Sequence, residues 1–401
     1  MKLNYKKIKE FALIHSGTTP STSKPELWNG NIKWITPAEL DNGHNWYVYD
    51  TQRKITDIAV SDKSLKLLKP GTVLLTSRAP IGKVALVGEP MCTNQGFKNI
   101  ECDTNIMNPE FLYFWLLGKN EYLNSLGRGA TFKEISKTIV ENIVVPVPKL
   151  EIQNKVVLAL KQALSLIDKR KAQIEALNQL TQSVFLEMFG DPFSNIKMWN
   201  KGKLENLVFK ITDGEHNNPL FIDSGYPMIM AKNVLSDGID FNNISFISND
   251  DLIRFRKKCN PELNDLLVVS RGATIGRTCV VNTDREFALM GSVILIKMNS
   301  DLMNSIFLKT LLSHPYYKNK LLSTSGSSAQ QAIYLKDLKK LEIIKPDINL
   351  QNEFANIVTQ IEKRKDLINK GLTELELIFN SLMQRAFKGE LFNEESKVSN
   401  L

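Results

Sequence analysis

Apolar residues recur at spacings of three, four and seven positions in two long stretches of the chain. The first stretch follows Pro148 and runs to Phe189, and the second follows Pro346 and runs to Phe387. Such spacing predicts amphipathic helices with a coiled-coil-like seam, and we expect the two helices to pack against each other as an antiparallel pair. The residues predicted to pack between the helices are Leu160, Ile167, Ile174, Leu177, Val358, Ile361, Ile368 and Leu375.

The two helical stretches are copies of one another. Each begins with the same pattern, since Gln153-Asn154 in the first corresponds to Gln351-Asn352 in the second, and the match continues at one constant offset. Each stretch also follows a segment of roughly equal size. This period is far longer than the roughly 20 to 50 residues of a solenoid repeat, so we interpret the chain as a tandem duplication of one globule with an attached helix.

The segments outside the helices contain short strand patterns bounded by turn residues. Gly71–Thr76 is predicted to be a strand that enters the basic turn Ser77–Lys83, and Leu266–Val269 enters a matching turn, Ser270–Arg277. Short strands mixed with few helices predict an α+β fold for both globules. The predicted parts are a first globule at 1–149, a helix at 150–190, a second globule at 191–349, a helix at 350–390 and a flexible tail at 391–401.

Composition and charge narrow the class of protein. The chain has 401 residues, of which 43% are hydrophobic and 23% charged, as in ordinary globular proteins. No run approaches the roughly 18 apolar residues of a membrane span, and the start lacks the apolar region of a signal peptide, so we expect a cytoplasmic protein and no membrane partner. The net charge of +8 lies mainly in the two globules, which favours a polyanion such as DNA as the partner.

Motifs for catalysis and cofactor binding are missing from the sequence. It contains neither a GxxxxGK[ST] loop nor a GxGxxG turn after a strand. Asp191-Pro192-Phe193 approaches the motif of amino-methyltransferases, but it has one proline too few and stands where a helix stops. We therefore expect no catalysis by this chain alone. The cysteines show no metal-ligand spacing, so no metal site is predicted; they are Cys92, Cys102, Cys259 and Cys279.

The basic turns and the variable loops supply candidates for DNA contacts. The planar fork of arginine can pair with phosphate or guanine, and the amides of asparagine and glutamine can pair with adenine. The same residue types also occur in ordinary solvated turns, and we interpret Trp28 and Trp34 as core aromatics. The candidate DNA-binding residues are Asn29, Arg78, Lys83, Arg128, Thr131, Lys133, Asn233, Arg271, Thr274, Arg277, Gln330 and Gln331.

Several segments resemble a known family, the DNA-specificity subunits of type I restriction-modification systems. The resemblance covers both halves of the chain, but in the second globule Gly214-Glu215-His216 replaces the family's Gly-Thr-Pro opening. The segments that resemble the family's target-recognition domain and conserved regions are Gly17–Ser21, Glu26–Pro37, Ser77–Lys83, Gly129–Ile135, Val145–Gln153 and Ser381–Leu391.

This resemblance implies a non-catalytic subunit that reads an asymmetric, split sequence in double-stranded DNA. Each globule, as a target-recognition domain, would read one half-site, and the helices, each ~50 Å long at ~1.5 Å per residue, would set the spacer. The implied partners are two modification subunits, which methylate adenine N6, and restriction subunits. The resemblance places S-adenosylmethionine, ATP and Mg in those partners and no cofactor in this chain.

Two other functions stay open from the residues alone. A helical scaffold or regulatory adaptor would use the same two globules to bind protein instead of DNA. A stand-alone methyltransferase is the weaker rival, because the cofactor motif and the second proline of the catalytic motif are absent. Steep salt dependence of DNA binding would favour the specificity subunit over the adaptor, since phosphate contacts release counterions.

Overall fold

The chain forms two compact units that share the long helices. The computed structural model describes residues 4–40, 46–62, 65–78, 80–129, 133–323 and 331–391. Unit 1 comprises Met1–Ala172 and Ile368–Leu401, and unit 2 comprises Gln173–Leu367. Each unit therefore combines one globule with the first half of one long helix and the second half of the other.

Unit 1 mixes short strands with short helices. Its strands are β1 (Tyr5–Lys7), β2 (Ala12–Ser16), β3 (Trp28–Ile35), β4 (Tyr47–Val48), β5 (Arg53–Ile55), β6 (Val73–Thr76), β7 (Val84–Val87), β8 (Met91–Thr93), β9 (Phe97–Cys102) and β10 (Val144–Pro146). Its helices are α1 (Asp57–Asp62), α2 (Pro109–Leu117), α3 (Asn120–Ser125), α4 (Lys137–Glu141) and the first part of α5 (Leu150–Phe189). The strands form a five-stranded sheet of order β2-β9-β6-β7-β4, a three-stranded sheet of order β5-β3-β8 and the ribbon β1-β10.

The central strands of unit 1 are apolar at every position because both faces of their sheet are covered. All four residues of β6 and all four of β7 are buried. Val73 and Leu75 pack with α2 and the start of α5 on one face, whereas Leu74 packs with Ile35 of the three-stranded sheet on the other. Continuous apolar runs are the pattern expected of strands covered on both faces.

Unit 2 repeats this order of elements. Its strands are β11 (Lys201–Lys203), β12 (Val208–Asp213), β13 (Tyr226–Ile229), β14 (Ser245–Ile247), β15 (Leu266–Val269), β16 (Thr278–Val280), β17 (Ala288–Leu289), β18 (Val293–Met298) and β19 (Glu342–Ile344). Its helices are α6 (Asn249–Lys258), α7 (Ser305–Ser313), α8 (Pro315–Ser323), α9 (Leu335–Lys340) and the first part of α10 (Ile348–Phe387). The sheets have the orders β12-β18-β15-β16, β14-β13-β17 and β11-β19, so each matches one sheet of unit 1 except that β4 has no counterpart within the described ranges.

A buried glutamine attaches each long helix to its globule. The side chain of Gln153 makes hydrogen bonds of 2.8 to 2.9 Å with the backbone of Asn108, Ile106 and Pro148. The side chain of Gln351 makes the matching bonds of 2.9 to 3.2 Å with Asn304, Leu302 and Pro346. Both side chains are fully buried. We call this arrangement the glutamine anchor; it explains why the Gln-Asn pair opens both helices.

The two long helices run antiparallel inside each unit. In unit 1, Val156 and Leu160 of α5 belong to the same buried cluster as Met383 and Ala386 of α10. In unit 2, the rings of Phe185 and Phe354 lie 5.7 Å apart, and those of Phe189 and Phe354 lie 5.4 Å apart. These contacts, together with the α+β globules, confirm the predicted fold class.

The residues predicted to pack between the helices are covered to different degrees. Leu160, Ile167, Val358 and Ile361 are buried, whereas Ile174, Leu177, Ile368 and Leu375 are half-buried. The burial decreases toward the middle of each helix, where the apolar seam has fewer neighbours from the globule. The predicted domain boundaries stay predictions, although α5 begins at Leu150 and α10 at Ile348.

Candidate nucleic-acid interface

The two basic turns lie at equivalent places in the two units. The carbonyl oxygen of Ser77, after β6, accepts a hydrogen bond of 2.9 Å from the backbone of Ile135. The carbonyl oxygen of Ser270, after β15, accepts one of the same length from Ile333. Arg78 and Arg271, which come next in the chain, are therefore matched residues. Arg271 lines a cleft of unit 2, and Arg78 lies 3.9 Å from Glu134, which lines a cleft of unit 1.

The last basic residue of each turn is a structural contact. The ammonium group of Lys83 donates hydrogen bonds to the carbonyl oxygen of Pro37, the first residue of a 3-10 turn, and to that of Leu40, which follows the turn. The guanidinium of Arg277 donates a bond of 3.0 Å to the carbonyl of Val234, at the end of the matching turn. Each basic side chain is thereby tied to a 3-10 turn of its own unit.

Asn233 lies inside unit 2 and is only 1% exposed. Its side-chain oxygen accepts a hydrogen bond of 3.1 Å from the backbone of Met230, and its amide nitrogen donates to the carbonyls of Asp240 and Asn243. Since a buried amide is stable only when its polar groups are paired, the structure favours a scaffold role for this residue. Its predicted contact with a base edge requires a side chain at the surface.

The first cleft, in unit 1, has a volume of about 830 Å³. Three cations, Lys98, Arg128 and Lys137, line it against one carboxylate, Glu134, so its charge is predominantly positive. Arg128 is exposed, and its backbone forms two hydrogen bonds of 3.0 Å with Glu134. The remaining lining residues are Ser16, Ser136, Thr138, Ile139 and Asn142.

The second cleft, in unit 2, occupies the matching place with a volume of about 380 Å³. Ile294 takes the position of Lys98 on the strand, and Ala332 takes the position of Glu134 on the adjoining segment, so this cleft lacks the charged pair of the first. The lining residues are Asp213, Ser270, Arg271, Gly291, Ile294, Ile333, Tyr334, Leu335 and Lys336.

A carboxylate at the edge of the second cleft is held by two basic side chains. Asp213 lies 2.7 Å from the imidazole of His216 and 2.8 Å from the ammonium of Lys258. Burial opposes ionisation of this carboxyl group, but the hydrogen bonds from Lys258 and His216 outweigh burial and lower the pKa of Asp213 below its usual value. The carboxylate is therefore ionised at neutral pH.

The segment around His216 begins at a glycine that both units require. A Cβ atom at Gly17 would lie 1.9 Å from the carbonyl oxygen of Asn94, and one at Gly214 would lie 2.1 Å from that of Leu289. No side chain fits such a gap, so Gly214-Glu215-His216 starts at the same point of the fold as Gly17-Thr18-Thr19-Pro20 in unit 1.

The other candidates are spread over the surface of the two units. Asn29 is exposed, with a φ of 59°, in a bulge of β3. Lys133 and Gln331 are exposed next to the two clefts, and Thr274 is half-buried in the second basic turn. Thr131 and Gln330 lie outside the described residues. The structure thus brings Arg78, Arg128 and Lys133 together in unit 1, and Arg271 and Gln331 in unit 2.

The two tryptophans of β3 belong to the scaffold of unit 1. Trp34 is buried, and its indole donates to the carbonyl of Thr18, while that of Trp28 donates to Ser21. The guanidinium of Arg53 lies 3.8 Å from the centre of the Trp28 ring. Sequence reasoning missed Arg53, and it also missed Lys98 and Glu134, because it selected candidates only from basic turns and amide-rich loops.

The residues that the structure describes give no indication of a reactive thiol, a metal site or a membrane-spanning helix. Burial raises the pKa of the Cys92 and Cys279 thiols to about 11 and of the Cys102 and Cys259 thiols to about 12, which keeps them protonated and unreactive. The described side chains include no group of three or more histidine, cysteine, aspartate or glutamate residues suited to a metal ion. Within the same ranges, no helix combines the length and apolar character needed to cross a membrane.

Two similar α+β units, each with an arginine-edged cleft and a glutamine-anchored helix, define a protein that presents two related binding sites on one chain. A family model for the type I restriction modification DNA specificity domain matches residues 2–179 and again 198–377. The chain therefore belongs to the type I restriction-modification DNA specificity family. As a specificity subunit it serves DNA sequence recognition and is not the catalytic component, so the predicted family and non-catalytic role are confirmed.

Relatives with established names agree with this assignment. The MjaIX specificity subunit of Methanocaldococcus jannaschii is 30% identical, over 97% of this chain and 94% of its own length. The EcoBI specificity subunit of Escherichia coli is 27% identical, over 76% of this chain and 70% of its own length. Both comparisons extend across the two units.

Solved structures share the fold. The S subunit of a type I restriction-modification system from M. genitalium superposes with a TM-score of 0.56 at 15% identity and covers 96% of each chain. A chain from a structural study of complex assembly and conformational transition in a type I R-M system gives 0.62 at 20% identity and covers 98% of this chain and 100% of its own. At such identities the likeness concerns the fold alone.

Proposed function

We propose that this chain recognises a bipartite, asymmetric DNA target, with unit 1 reading one half-site and unit 2 reading the other. The observation that supports this division is the pair of clefts, which share a backbone framework and differ in their side chains. Two identical clefts would suit a symmetric target, whereas two different clefts suit two different half-sites.

The differences fall where the backbone contacts are the same. Ile135 and Ile333 donate equivalent hydrogen bonds, and the residues on either side of them are not conserved between the units. Before these residues stand Glu134 and Ala332, and after them stand Ser136 and Tyr334. A carboxylate, a methyl group, a hydroxyl and a phenol offer different partners to the edge of a base pair.

The arginines of the clefts are suited to DNA by their chemistry and exposure. Arg128 and Arg271 are exposed, and a guanidinium can take two acceptors at once from a phosphate or from guanine. We place Lys83, Arg277 and Asn233 in the scaffold, since their polar groups are engaged inside the units. Asn29, Arg78, Thr131, Lys133, Thr274, Gln330 and Gln331 stay candidates for DNA contacts.

The partners follow from this role. Because the chain carries no catalytic motif, we infer that it directs adenine-N6 methylation and restriction by two modification subunits and by restriction subunits, in the cytoplasm. S-adenosylmethionine, ATP and Mg would be bound by those subunits. Methylation of a base inside a duplex requires that the base be flipped out, and this chain would hold the duplex while the partner acts.

The long helices would set the spacer between the half-sites. Inserting four residues near Lys169 in α5 and four near Lys363 in α10 adds about one turn to each helix. We expect the recognised spacer to lengthen while both half-sites keep their sequence. A changed half-site with a constant spacer would contradict this role for the helices.

Single-molecule methylation sequencing of the host genome, with this chain present and deleted, tests the proposal. We expect a split motif with methylated adenine to disappear on deletion and to return when the gene is restored. If methylation is unchanged while the modification partner is active, the chain does not direct methylation and a protein-binding adaptor becomes the better explanation.

A further inference from the structure

A charged cluster in the first cleft places a carboxylate next to an arginine of the basic turn. One oxygen of Glu134 accepts a hydrogen bond of 3.1 Å from the ammonium of Lys98 and lies 3.4 Å from the hydroxyl of Ser77, which donates at 3.1 Å to the carbonyl of Gly96. The other oxygen lies 3.9 Å from the guanidinium of Arg78. The carboxylate is therefore held firmly on one side and paired loosely with Arg78 on the other.

The exposure of these side chains separates their roles. The side chain of Lys98 is 8% exposed, whereas those of Arg78 and Glu134 are 37% and 39% exposed. A buried ammonium requires a fixed counter-charge, so Lys98 keeps Glu134 in the cleft. Arg78 lies closer to solvent, at a distance where another anion can replace the carboxylate as its partner.

We propose that Glu134 occupies, in the free protein, the place that a DNA phosphate takes beside Arg78, and that it thereby weakens binding to DNA lacking the target sequence. The proposal rests on the DNA role of the cleft stated above. Any phosphate that pairs with Arg78 must displace a carboxylate that Lys98 holds in place. Correct base contacts offset that cost at the target, and other sequences do not provide them.

Unit 2 has the same backbone framework but no carboxylate in the position of Glu134. Arg271 matches Arg78, but the positions of Lys98 and Glu134 are taken by Ile294 and Ala332. Among the described residues, Arg271 has no carboxylate within ion-pair distance. The two units should therefore differ in how strongly they hold DNA of arbitrary sequence.

Two variants of the full-length chain, in complex with its modification partner, test the proposal. Glu134→Gln removes the charge and keeps one acceptor oxygen for the ammonium of Lys98. The double variant Lys98→Ile with Glu134→Ala copies the apolar pair of unit 2 and leaves the net charge unchanged. As a control, Glu151→Gln makes the same charge change at an ion pair on α5, outside the cleft. The probe is a labelled duplex without the target motif, titrated by fluorescence anisotropy at several salt concentrations.

Both cleft variants should bind this duplex roughly two- to fivefold more tightly than the parent, the range typical of one exposed charge pair. Their salt dependence should steepen by about one in log affinity against log salt, because Arg78 gains one phosphate contact. The control should leave the slope unchanged. The proposal is overturned if the control matches Glu134→Gln in both quantities, or if the double variant behaves like the parent.

A failure of the proposed DNA surface can be recognised separately. Arg128→Ala and Lys137→Ala remove cations of the same cleft without touching the Glu134 cluster's side-chain bonds. If these variants keep the parent's affinity for target DNA, the first cleft is not a DNA surface. If they weaken binding while the Glu134 variants have no effect, the surface stands and only the role of Glu134 is wrong.

Discussion

The two clefts share their backbone hydrogen bonds but differ in the side chains that line them. In both, a serine carbonyl after a central strand accepts a hydrogen bond from the backbone N–H of an isoleucine, and a matched arginine follows the serine. Around this framework, Lys98 and Glu134 line the first cleft, and the matching positions in unit 2 are taken by Ile294 and Ala332. The difference teaches that side chains at the cleft can change while the contacts that shape it stay constant, which is what a family of sequence readers requires.

The largest expected effect concerns the glutamine anchor, which should matter equally in both units. Gln153→Ala or Gln351→Ala leaves three buried backbone groups without partners, and we expect either to lower the free energy of unfolding by ~3 kcal/mol. Urea denaturation measures this change. Gln162→Ala, on the exposed side of α5, is the matched control and should cost less than ~0.5 kcal/mol. If only one of the two variants loses several kcal/mol of unfolding free energy, the glutamine anchor does not contribute equally to the two units.

A second prediction sharpens the contrast between the clefts. Arg128→Ala should weaken recognition of one half-site and Arg271→Ala recognition of the other, each by roughly 1 to 3 kcal/mol. Binding to duplexes that carry one altered half-site at a time measures the two effects separately. If Arg271→Ala leaves binding and methylation unaltered, the second basic turn is an ordinary solvated turn.

A third prediction separates scaffold residues from reading residues within the same turns. Lys83→Ala and Arg277→Ala should each lower the free energy of unfolding by about 1 kcal/mol, since a charged hydrogen bond to a turn carbonyl is lost. Neither variant should change the preferred half-site. If the variants change the preferred DNA sequence without lowering the free energy of unfolding, Lys83 and Arg277 contact DNA and are not scaffold residues.

The smallest effect is a pH dependence that comes from one carboxylate of unit 1. The hydrogen bond from Lys69, partly opposed by burial and supported by His15, lowers the pKa of the Glu101 carboxyl group below its usual value. A group with a depressed folded pKa adds stability above its unfolded pKa of about 4.3, and this contribution is lost as the pH falls further. Lys297 takes the matching position in unit 2.

Glu101→Gln should therefore lower the free energy of unfolding by less than about 1 kcal/mol at pH 7, and the difference from the parent should shrink as the pH falls below about 4. Urea midpoints at both pH values measure it. Glu121→Gln, an exposed glutamate of the same unit, controls for the charge change. An equal difference at both pH values would show that ionisation of Glu101 is not the cause.

Much of the fold could be predicted because it depends on the periodicity of apolar residues and on the internal repeat, which can both be read from the sequence. The helix periodicity and the repeat predicted α5, α10 and the duplicated globules, and the apolar run before Ser77 predicted a strand that the structure places at Val73–Thr76. These features depend on neighbours along the chain. Local patterns of that kind need no knowledge of tertiary contacts.

The site was harder to predict because its contacts join distant residues. Lys83 and Arg277 each reach a carbonyl 43 residues away, so the sequence shows a basic turn and not the acceptor it satisfies. Asn233 follows Lys232 in a turn, yet its side chain is buried and bonded to Asp240 and Asn243 further along the chain. Glu134 lies in a loop considered for its basic residues, and its partner Lys98 lies on a strand; pairing of side chains across a fold has no local signature.

The composition of unit 1 from two distant parts of the chain determines the order in which the units are completed during synthesis. Unit 2 is one continuous segment, whereas the core of unit 1 includes Met383 and Ala386, and Phe111 packs 5.2 Å from the ring of Phe387. Domains fold as they leave the ribosome, normally from the N terminus onward. Here the first globule cannot complete its core until the second half of α10 has left the ribosome. Until then, apolar residues of α2 and α5 stay uncovered. The unit that comes later in the sequence is the first to have all its parts.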